Sequence, residues 1–358
     1  MRELTIKSHR REYKVFFEEG LAFLEDLKKH NAVWVVDEKV LGIYPQISSG
    51  FDPDKIISFC AREEEKTLDS AVRIQRALLE RSFKKNMTFI SVGGGITQDV
   101  TGFVASSLYR GVNWIYIPTT LLAQSDSCIG SKTSLNFDSF KNLIGTFYPP
   151  HEVFIGVEFI KTLNATDYYS GLGEILKIQL MNASSLGLVK IAELLHSVQE
   201  NKDSPALIDL IASSLLIKKE YIEEDEFDEG RRNLLNYGHC FGHALEPVSQ
   251  FTVPHGLAVV AGMLFASIIS FKRGLMGEAE FNSLRDVLLA NLHFEILNIR
   301  DEFFDSENIF KAMSKDKKRT GQGLALILPN NRLELIKIQD LSHSELGQGI
   351  EDLRKTIA

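Results

Sequence analysis

The first 160 residues alternate short, continuously apolar runs with segments of helical periodicity. The clearest runs are AVWVVD at 32–37, MTFISV at 87–92 and VNWIYIP at 112–118, and LDSAVRIQRALLERS at 68–82 carries apolar residues at helical spacing. Strands that are apolar on both faces and alternate with helices are typical of a parallel sheet covered by helices on each side. The alternation therefore predicts an N-terminal α/β domain with a mainly parallel, Rossmann-like sheet.

The periodicity changes near residue 160 and stays helical to about residue 317. Its most apolar segment, Leu257–Ile269, has 13 residues. A helix needs about 20 residues to cross a bilayer, so we expect a buried helix there. Two apolar runs on either side of Pro329-Asn330-Asn331 predict a β-hairpin. We therefore expect two domains, an α/β nucleotide-binding domain at 1–160 and a mostly α-helical domain at 161–358.

The composition restricts the partners of this chain. Its 358 residues carry a formal net charge of −8, which gives no basic footprint for nucleic acid or for an anionic membrane. The start, MRELTIKSHRREYKVFF, lacks the apolar stretch and cleavage site of a secretory signal. Three widely spaced cysteines, Cys60, Cys128 and Cys240, form neither a disulfide framework nor a CxxC motif. We expect a cytoplasmic protein with reduced thiols that binds neither nucleic acid nor membranes.

Three consecutive glycines, Gly93-Gly94-Gly95, follow the strand MTFISV directly and precede a helical segment. Glycines at this point let backbone N–H groups approach a ligand, and the helix N-terminus favours an anion such as a dinucleotide pyrophosphate. The strict GxGxxG fingerprint is absent because Gln98 stands at the third glycine position. Asp37, the acidic residue that ends a strand, precedes the glycines instead of following them. A tight strand–helix turn without a ligand therefore remains the alternative.

Three of the nine histidines, His239, His243 and His255, lie within one short segment. On a helix, His239 and His243 share a face, and His255 opens the next apolar helix. Imidazole ligands of this number suit zinc, which usually also takes a carboxylate in a catalytic site. The HExxH protease pattern is absent because Cys240 follows His239. Ordinary hydrogen-bonded or surface histidines remain the alternative.

Several longer blocks resemble the 3-dehydroquinate synthase family, within the wider group of sugar-phosphate cyclases. The longest, starting at Gly93, is GGGITQDVTGFVASSLYRGVNWIYIPTTLLAQSDSCIGSKTSLNFDSFKNLIGTFYPP. The blocks GLGEILK, IKKEYIEEDEFDEGRRNLLNYGHCFGHALE, HGLAVVAGM and KDKKRTGQGLALILP follow in the family's order. The resemblance implies an NAD-dependent enzyme with zinc or cobalt. It would convert 3-deoxy-D-arabino-heptulosonate 7-phosphate to 3-dehydroquinate and phosphate.

The resemblance also implies a role for individual residues, with NAD assigned to domain 1–160 and the metal and substrate to domain 161–358. Metal ligands would be Glu174, His239 and His255. The NAD site would comprise Asp37, Glu63, Lys66, Gly93, Gly94, Gly95, Asp99, Thr119, Thr120, Lys132 and Lys141. Catalytic or substrate-positioning residues would be Asp126, Lys132, Lys177 and His243. Substrate would be bound through its carboxylate by Lys218 and Arg232 and through its phosphate by Arg110, Asn142, Asn236 and Lys317. Arg110 would come from a neighbouring subunit, which implies a homodimer.

The sequence departs from the family at positions that bear on substrate identity. Leu257 stands where the family commonly has glutamate after His-Gly, and Phe140 stands where it usually has glycine. The segment DSCIGSKTSLN is less glycine-rich than its family counterpart. No implied metal ligand is lost through these changes.

Three other functions compete with the first. A related cyclase of the sedoheptulose 7-phosphate cyclase or 2-deoxy-scyllo-inosose synthase type acts on a neutral sugar phosphate, which needs no carboxylate clamp such as Lys218 and Arg232. A polyol dehydrogenase of the glycerol dehydrogenase type has a similar two-domain plan but needs fewer phosphate-binding lysines. A scaffold that has lost catalysis would lack ligands or lysines, and none of those implied is missing.

Overall fold

The computed structural model describes residues 3–138, 140–183, 187–199, 201–202, 204–293, 300–314 and 323–357. The chain forms two compact units. The first contains Met1–Leu163 with Ile222–Phe227, and the second contains Asn164–Tyr221 with Asp228–Ala358. The end of the first continuous segment lies close to the domain boundary predicted from the change in periodicity.

The first unit is built on a seven-stranded sheet of order β1-β2-β9-β6-β5-β3-β4. The strands of this unit are β1 Glu3–Ile6, β2 Tyr13–Glu18, β3 Ala32–Asp37, β4 Ile56–Phe59, β5 Thr88–Gly93, β6 Asn113–Pro118, β7 Lys132–Phe137, β8 Phe140–Phe147 and β9 Glu152–Gly156. In the large sheet only β1 and β2 pair antiparallel, and all other pairs are parallel. The predicted strands at 32–37, 87–92 and 112–118 are therefore confirmed as β3, β5 and β6.

Helices pack on this sheet because its central strands are apolar on both faces. They are α1 Phe23–Lys28, α2 Glu38–Ile43, α3 Leu68–Glu80 and α4 Gly95–Ser107. Helix α3, predicted at 68–82, buries Ala71, Ile74 and Leu78, and the Thr67 side chain caps it by accepting a hydrogen bond from Ser70 N. Trp34 in β3 is fully buried in the core. Strands β7 and β8 form a separate antiparallel hairpin that the sequence did not predict.

The second unit is mainly helical, as predicted. Its helical region contains α5 Ala165–Leu180, α6 Leu188–Gln199, α7 Pro205–Glu224, α8 His239–Val248, α9 His255–Lys272, α10 Glu278–Leu289, α11 Ser306–Ser314 and α12 His343–Ile357. Strands β10 Leu324–Pro329 and β11 Leu335–Leu341 form the predicted hairpin. Helix α9 is buried from Gly256 to Ser270, which confirms the buried helix predicted at 257–269. It has the length and composition of a membrane-crossing helix, but 83% of it is buried inside the protein.

Arg273, at the end of α9, connects this helix to α12 and β11. Its Nε and Nη2 donate to the Glu345 carboxylate at 2.5 and 2.8 Å, and Nη1 donates to Asp340 at 2.8 Å. These hydrogen bonds hold the pKa of Glu345 below its usual range. We expect Arg273→Ala to lower the free energy of unfolding by about 1 kcal/mol at neutral pH.

The pH dependence of this effect follows from the direction of the pKa shift. A carboxyl whose pKa is depressed on folding stabilises the protein above its unfolded pKa of about 4.3, and this stabilisation is lost as the pH falls through the folded pKa. Urea denaturation should therefore show the wild type and Arg273→Ala converging at pH below about 4. Arg300→Ala, which removes a pair exposed on both sides, is the control and should change little at either pH. Equal losses in the two variants would contradict the prediction.

Candidate functional site

The residues predicted to bind NAD lie at the C-terminal ends of parallel strands in the first unit. Strand β3 ends at Asp37, and β5 runs into the glycines at Gly93. Thr119 and Thr120 follow β6. Strand β4, the next strand along the chain after β3, pairs with one edge of β3, and β5 pairs with its other edge. The strand order thus reverses between β3 and β5, and ligands of open α/β sheets bind at such a switch point.

Only glycine fits at the first two positions of the Gly93-Gly94-Gly95 turn. A Cβ at Gly93 would overlap the Thr97 side chain, and one at Gly94 would come within 2.9 Å of Thr120 Cγ2. Thr119 N donates to Gly93 O at 3.0 Å, which joins the turn to the end of β6. Helix α4 begins at Gly95, so its unpaired N–H groups lie at the turn. This arrangement suits an anion.

Gln98 has a structural role that explains its departure from the glycine fingerprint. Its Nε2 donates to Ser127 O at 2.6 Å, and Ser127 Oγ donates to its Oε1 at 2.7 Å. Ser127 ends a π-helical turn, Ala123–Ser127, which carries Asp126. Such turns are rare and are frequent at functional sites. The Gln98 side chain therefore fixes the segment that presents Asp126.

Lys66, Asp99 and Asn142 come together although they are distant in sequence. Lys66 Nζ lies 2.6 Å from Asp99 Oδ2 and 2.6 Å from Asn142 Oδ1. Ser134 contributes its backbone N–H to Asp99 at 2.9 Å, and its hydroxyl lies 3.1 Å from Asp99 and 2.9 Å from Asn142. Asn142 has a φ of 52°, an uncommon backbone conformation for a residue other than glycine. Such conformations cluster at functional sites.

Asn136 extends this network to two more predicted NAD residues. Its Nδ2 donates to Glu63 Oε1 at 2.9 Å, and its Oδ1 accepts from Asn142 N at 3.0 Å. Lys141 Nζ lies 3.8 Å from Glu63 Oε1. Ser134 and Asn136 were not among the predicted site residues. Lys132, Ser134 and Asn136 occupy every second position of β7 and therefore lie on one face of the strand. This spacing from the predicted residue Lys132 could have identified Ser134 and Asn136 as site residues.

Asp37, Lys132 and Arg110 occupy other places in the first unit. Asp37 caps α2 by accepting from Lys39 N at 2.9 Å, and burial raises the pKa of its carboxyl. Lys132 is exposed at the start of β7, and Arg110 is exposed with a φ of 61°. Among the residues that the structure describes, Asp37 and Arg110 stand apart from the Lys66 network.

Glu174, His239 and His255 converge in the second unit. Glu174 lies on α5, whereas His239 and His255 are the first residues of α8 and α9. The Nε2 atoms of His239 and His255 lie 3.5 and 3.2 Å from Glu174 Oε1. Ligands about 2.0–2.1 Å from a tetrahedral zinc ion lie about 3.3 Å apart. Both distances to Glu174 Oε1 therefore match the spacing of zinc ligands.

The other polar atom of each of these side chains is held by a second group. His239 Nδ1 lies 3.2 Å from Tyr237 O, and His255 Nδ1 lies 2.6 Å from Glu246 Oε1. Lys177 Nζ lies 2.6 Å from Glu174 Oε2. An acceptor on Nδ1 fixes the tautomer that leaves the Nε2 lone pair available, as in most histidine–metal sites. The donor set and its supports therefore fit a divalent metal such as zinc.

Glycines next to these residues bring the three helices close together. A Cβ at Gly256, beside His255, would overlap Ser170 O in α5. A Cβ at Gly173 would overlap Gly256 O, and one at Gly238, which has a φ of 78°, would overlap Val259 O. Backbone-to-backbone contact is possible at these points only without a side chain. The pairs Gly173-Glu174, Gly238-His239 and His255-Gly256 thus explain why the functional side chains converge.

The electrostatic environment distinguishes the two histidines. Burial, together with the Lys177 charge, lowers the pKa of His239 well below its usual value, so this imidazole is neutral. Burial alone would also lower the pKa of His255, but hydrogen bonds to Glu174 and Glu246 outweigh it and raise the pKa to about 10. The two carboxylates therefore favour positive charge at His255. A metal cation satisfies the same preference.

His243 lies beside this cluster and is exposed. Its ring centroid is 5.0 Å from that of His239 and 5.6 Å from that of His255. One nitrogen of each of the three histidines lies within 4.8 Å of the others. The contacts with Glu174 involve His239 and His255, so a role for His243 beside the metal, on the substrate side, stays a prediction.

The remaining predicted substrate residues are distributed over the second unit. Lys218 in α7 and Arg232 in a 3₁₀ turn are 7% and 4% exposed, which is unusual for cations. Asn236 ends the same turn, and its Nδ2 donates to Asn233 O at 3.0 Å. Lys317 lies outside the described residues.

Glu246 is the residue of the second-unit cluster that the sequence did not identify. It lies on α8, is 6% exposed and accepts from His255. Leu257, where the family commonly has glutamate, is fully buried. The carboxylate in contact with His255 Nδ1 is therefore that of Glu246. His255 has a carboxylate partner although residue 257 is leucine.

Solved structures with the same fold define the class of this chain. The 2-epi-5-epi-valiolone synthase ValA from Streptomyces hygroscopicus subsp. jinggangensis 5008, with NAD+ and Zn2+ bound, matches with a TM-score of 0.83 and 23% identity over 98% of each chain. A 2-deoxy-scyllo-inosose synthase complexed with carbaglucose-6-phosphate, NAD+ and Co2+ matches with a TM-score of 0.84 and 23% identity, covering 98% of this chain and 99% of the other. At this identity the likeness shows the fold, an α/β unit followed by a helical unit.

Sequence comparison then identifies the family. The family model described as 3-dehydroquinate synthase N-terminal matches residues 56–170, and the one described as 3-dehydroquinate synthase C-terminal matches residues 171–319. The 3-dehydroquinate synthase of Dictyoglomus thermophilum is 34% identical over 348 residues, which cover 97% of this chain and 91% of the relative. The chain belongs to the 3-dehydroquinate synthase family and is an enzyme of this cyclase family.

Proposed function

We propose that this chain is a 3-dehydroquinate synthase that uses NAD and zinc. Its reaction converts 3-deoxy-D-arabino-heptulosonate 7-phosphate to 3-dehydroquinate and phosphate, so it is a lyase. The observation that carries the proposal is the convergence of the His239 and His255 Nε2 atoms on Glu174 Oε1, at 3.5 and 3.2 Å, in a member of this family.

Glu174, His239 and His255 would hold the metal, and Co2+ would suit the same donor set. A bound metal would supply a Lewis acid that lowers the pKa of the substrate hydroxyl to be oxidised. Lys177 keeps the second oxygen of Glu174 occupied at 2.6 Å, so the first oxygen faces the two histidines. His243, which is exposed beside these ligands, would exchange a proton with a substrate hydroxyl.

The residues proposed for NAD are the glycine turn at Gly93, with Thr119 and Thr120, and the network around Lys66 and Asp99. Bound NAD would supply a hydride acceptor that is regenerated within the same reaction, so the overall reaction would have no net redox change. The N–H groups at the start of α4 would bind the pyrophosphate. Lys66 and Asp99 form an ion pair with a separation of 2.6 Å, which fixes polar groups that face the cofactor.

The remaining residues would bind and orient the substrate. Lys218 and Arg232 would bind the carboxylate, the role that the family resemblance implies for them, and a guanidinium can bind a carboxylate through two hydrogen bonds. Arg110, Asn142, Asn236 and Lys317 would bind the phosphate, and neutralising its charge makes it a better leaving group. Lys132 and Asp126 complete the proposed catalytic set. Elimination breaks the carbon–oxygen bond to phosphate, and ring opening with an intramolecular aldol then closes the carbocycle.

The acid substrate is preferred to the neutral sugar phosphates of related cyclases. The relative with this activity is 34% identical over nearly the whole chain, whereas the solved synthases for other products are 23% identical. The presence of Lys218 and Arg232, to which the family resemblance assigns the substrate carboxylate, also favours a substrate with a carboxylate. We further propose a cytoplasmic location, because the three cysteines form no disulfide. We also propose a homodimer, because the family resemblance places Arg110 at a neighbouring subunit's phosphate site.

The decisive experiment supplies purified protein, NAD and Zn2+ with 3-deoxy-D-arabino-heptulosonate 7-phosphate. We expect one phosphate released per molecule of 3-dehydroquinate, identified by NMR and mass spectrometry, without accumulation of NADH. Parallel reactions contain sedoheptulose 7-phosphate or glucose 6-phosphate. Turnover of one of these instead would support a related cyclase. Stoichiometric NADH with glycerol as substrate would support a polyol dehydrogenase, and either result would overturn the proposal.

A further inference from the structure

Glu246 is a buried carboxylate without a role in the reaction described above. It lies on α8, the helix that begins with His239 and also carries His243. Its Oε1 lies 2.6 Å from His255 Nδ1, and the residue is 6% exposed. A buried carboxylate is costly unless it is paired. The Glu246 carboxylate pairs with the predicted ligand His255.

The contact determines which nitrogen of His255 faces Glu174. With Glu246 as acceptor, the proton of neutral His255 sits on Nδ1, and the Nε2 lone pair is directed at the point 3.2 Å from Glu174 Oε1. The opposite tautomer would place the Nδ1 lone pair against a carboxylate oxygen, which is repulsive. A carboxylate on Nδ1 also increases the basicity of the imidazole as a ligand.

The other two predicted ligands are supported differently. His239 Nδ1 faces the backbone carbonyl of Tyr237, which no side-chain substitution removes. Glu174 is held by Lys177, which is itself a proposed catalytic residue. Replacing Glu246 therefore tests metal binding without changing a proposed catalytic residue.

We propose that Glu246 is a positioning residue that sets the metal affinity of the site by fixing the tautomer and orientation of His255. The inference rests on the proposed function for the identity of the site as a metal centre, but its test needs no turnover. Removing such a support typically costs about 10–100-fold in metal affinity. Glu246→Gln keeps the size and an acceptor oxygen but loses the charge, so we expect about a 10-fold loss. For Glu246→Ala we expect up to about 100-fold.

The test measures dissociation constants for Zn2+ and Co2+ by competition with a chelating indicator, after the purified protein has been stripped of metal. Glu351→Gln is the matched control, because it makes the same change at an exposed position of the same unit. The visible absorption of the Co2+ protein reports directly on the ligand geometry. We expect a shifted spectrum in Glu246→Gln, an unchanged one in Glu351→Gln, and melting temperatures of the metal-free proteins that differ little.

The outcomes separate this inference from the proposed function. Metal affinities and Co2+ spectra equal to those of the wild type in Glu246→Gln and Glu246→Ala would overturn the positioning role, even if the enzyme is a 3-dehydroquinate synthase. An affinity loss that is explained by unfolding of the metal-free variant would overturn it as well. If the variants bind metal more weakly and the wild-type protein does not convert the heptulosonate, the role of Glu246 is supported and the proposed function is rejected.

Discussion

His239→Ala is expected to abolish tight zinc binding and to reduce turnover of the heptulosonate phosphate by about 10³-fold or more. The substitution removes an imidazole nitrogen that lies 3.5 Å from Glu174 Oε1, a distance that matches the spacing of two zinc ligands. Metal coordination supplies several kcal/mol of charge stabilisation during oxidation of a hydroxyl, and about 4 kcal/mol corresponds to 10³ in rate. Zinc content by elemental analysis and kcat by phosphate release would measure the two effects together.

His196→Ala provides the control for this experiment. His196 lies on α6 and is exposed, so its loss removes a histidine from the same unit without touching the cluster. Zinc content and kcat should match those of the wild type. The assignment of His239 is wrong if His239→Ala retains one zinc per chain and full turnover, or if His196→Ala loses as much.

The sequence predicted the central sheet because burial leaves a pattern. Strands β3, β5 and β6 are covered on both faces, so each is a continuous apolar run. Strand β8 left no such pattern, and β7 buries only Thr133 and Leu135. Almost every residue of β8 is at least partly exposed, including Phe140 at 44% and Leu143 at 43%. Without a buried face, neither alternation nor continuity marks a strand.

The sequence predicted those site residues that match a family motif. It did not predict residues such as Glu246, which join the site only through contacts formed in the folded chain. Glu246 and His255 meet because the chain reverses between α8 and α9. Gln250 and Phe251 in this turn have φ values of 53° and 60°. Residues other than glycine seldom adopt this conformation, so no glycine marks this reversal in the sequence. Lys66, Asp99 and Asn142 likewise meet only through the sheet and hairpin, which no local spacing encodes.

Gly256→Ala should destabilise the second unit strongly, because this glycine permits the contact between α5 and α9. An added Cβ would overlap Ser170 O, and the obstructing atom belongs to the backbone, so no rotamer change relieves the overlap. Gly256 N also donates to Ser170 Oγ at 2.9 Å, which fixes the separation. We expect the free energy of unfolding to fall by about 3 kcal/mol or more, at the upper end of overpacking effects. Displacement of the adjacent His255 should weaken zinc binding as well.

The same substitution at Gly347 should have the opposite sign, which separates local packing from helix propensity. Gly347 lies within α12, and a Cβ there would meet nothing within 4 Å. Alanine is favoured over glycine in a helix by about 0.8–1 kcal/mol, so Gly347→Ala should raise the free energy of unfolding. Denaturant titrations of both variants, with zinc affinity measured in parallel, would test the pair. Unchanged stability and zinc affinity in Gly256→Ala would mean that the α5–α9 contact does not position the ligands. A rise in the free energy of unfolding of both variants would attribute the effect to helix propensity instead of to the overlap at Ser170.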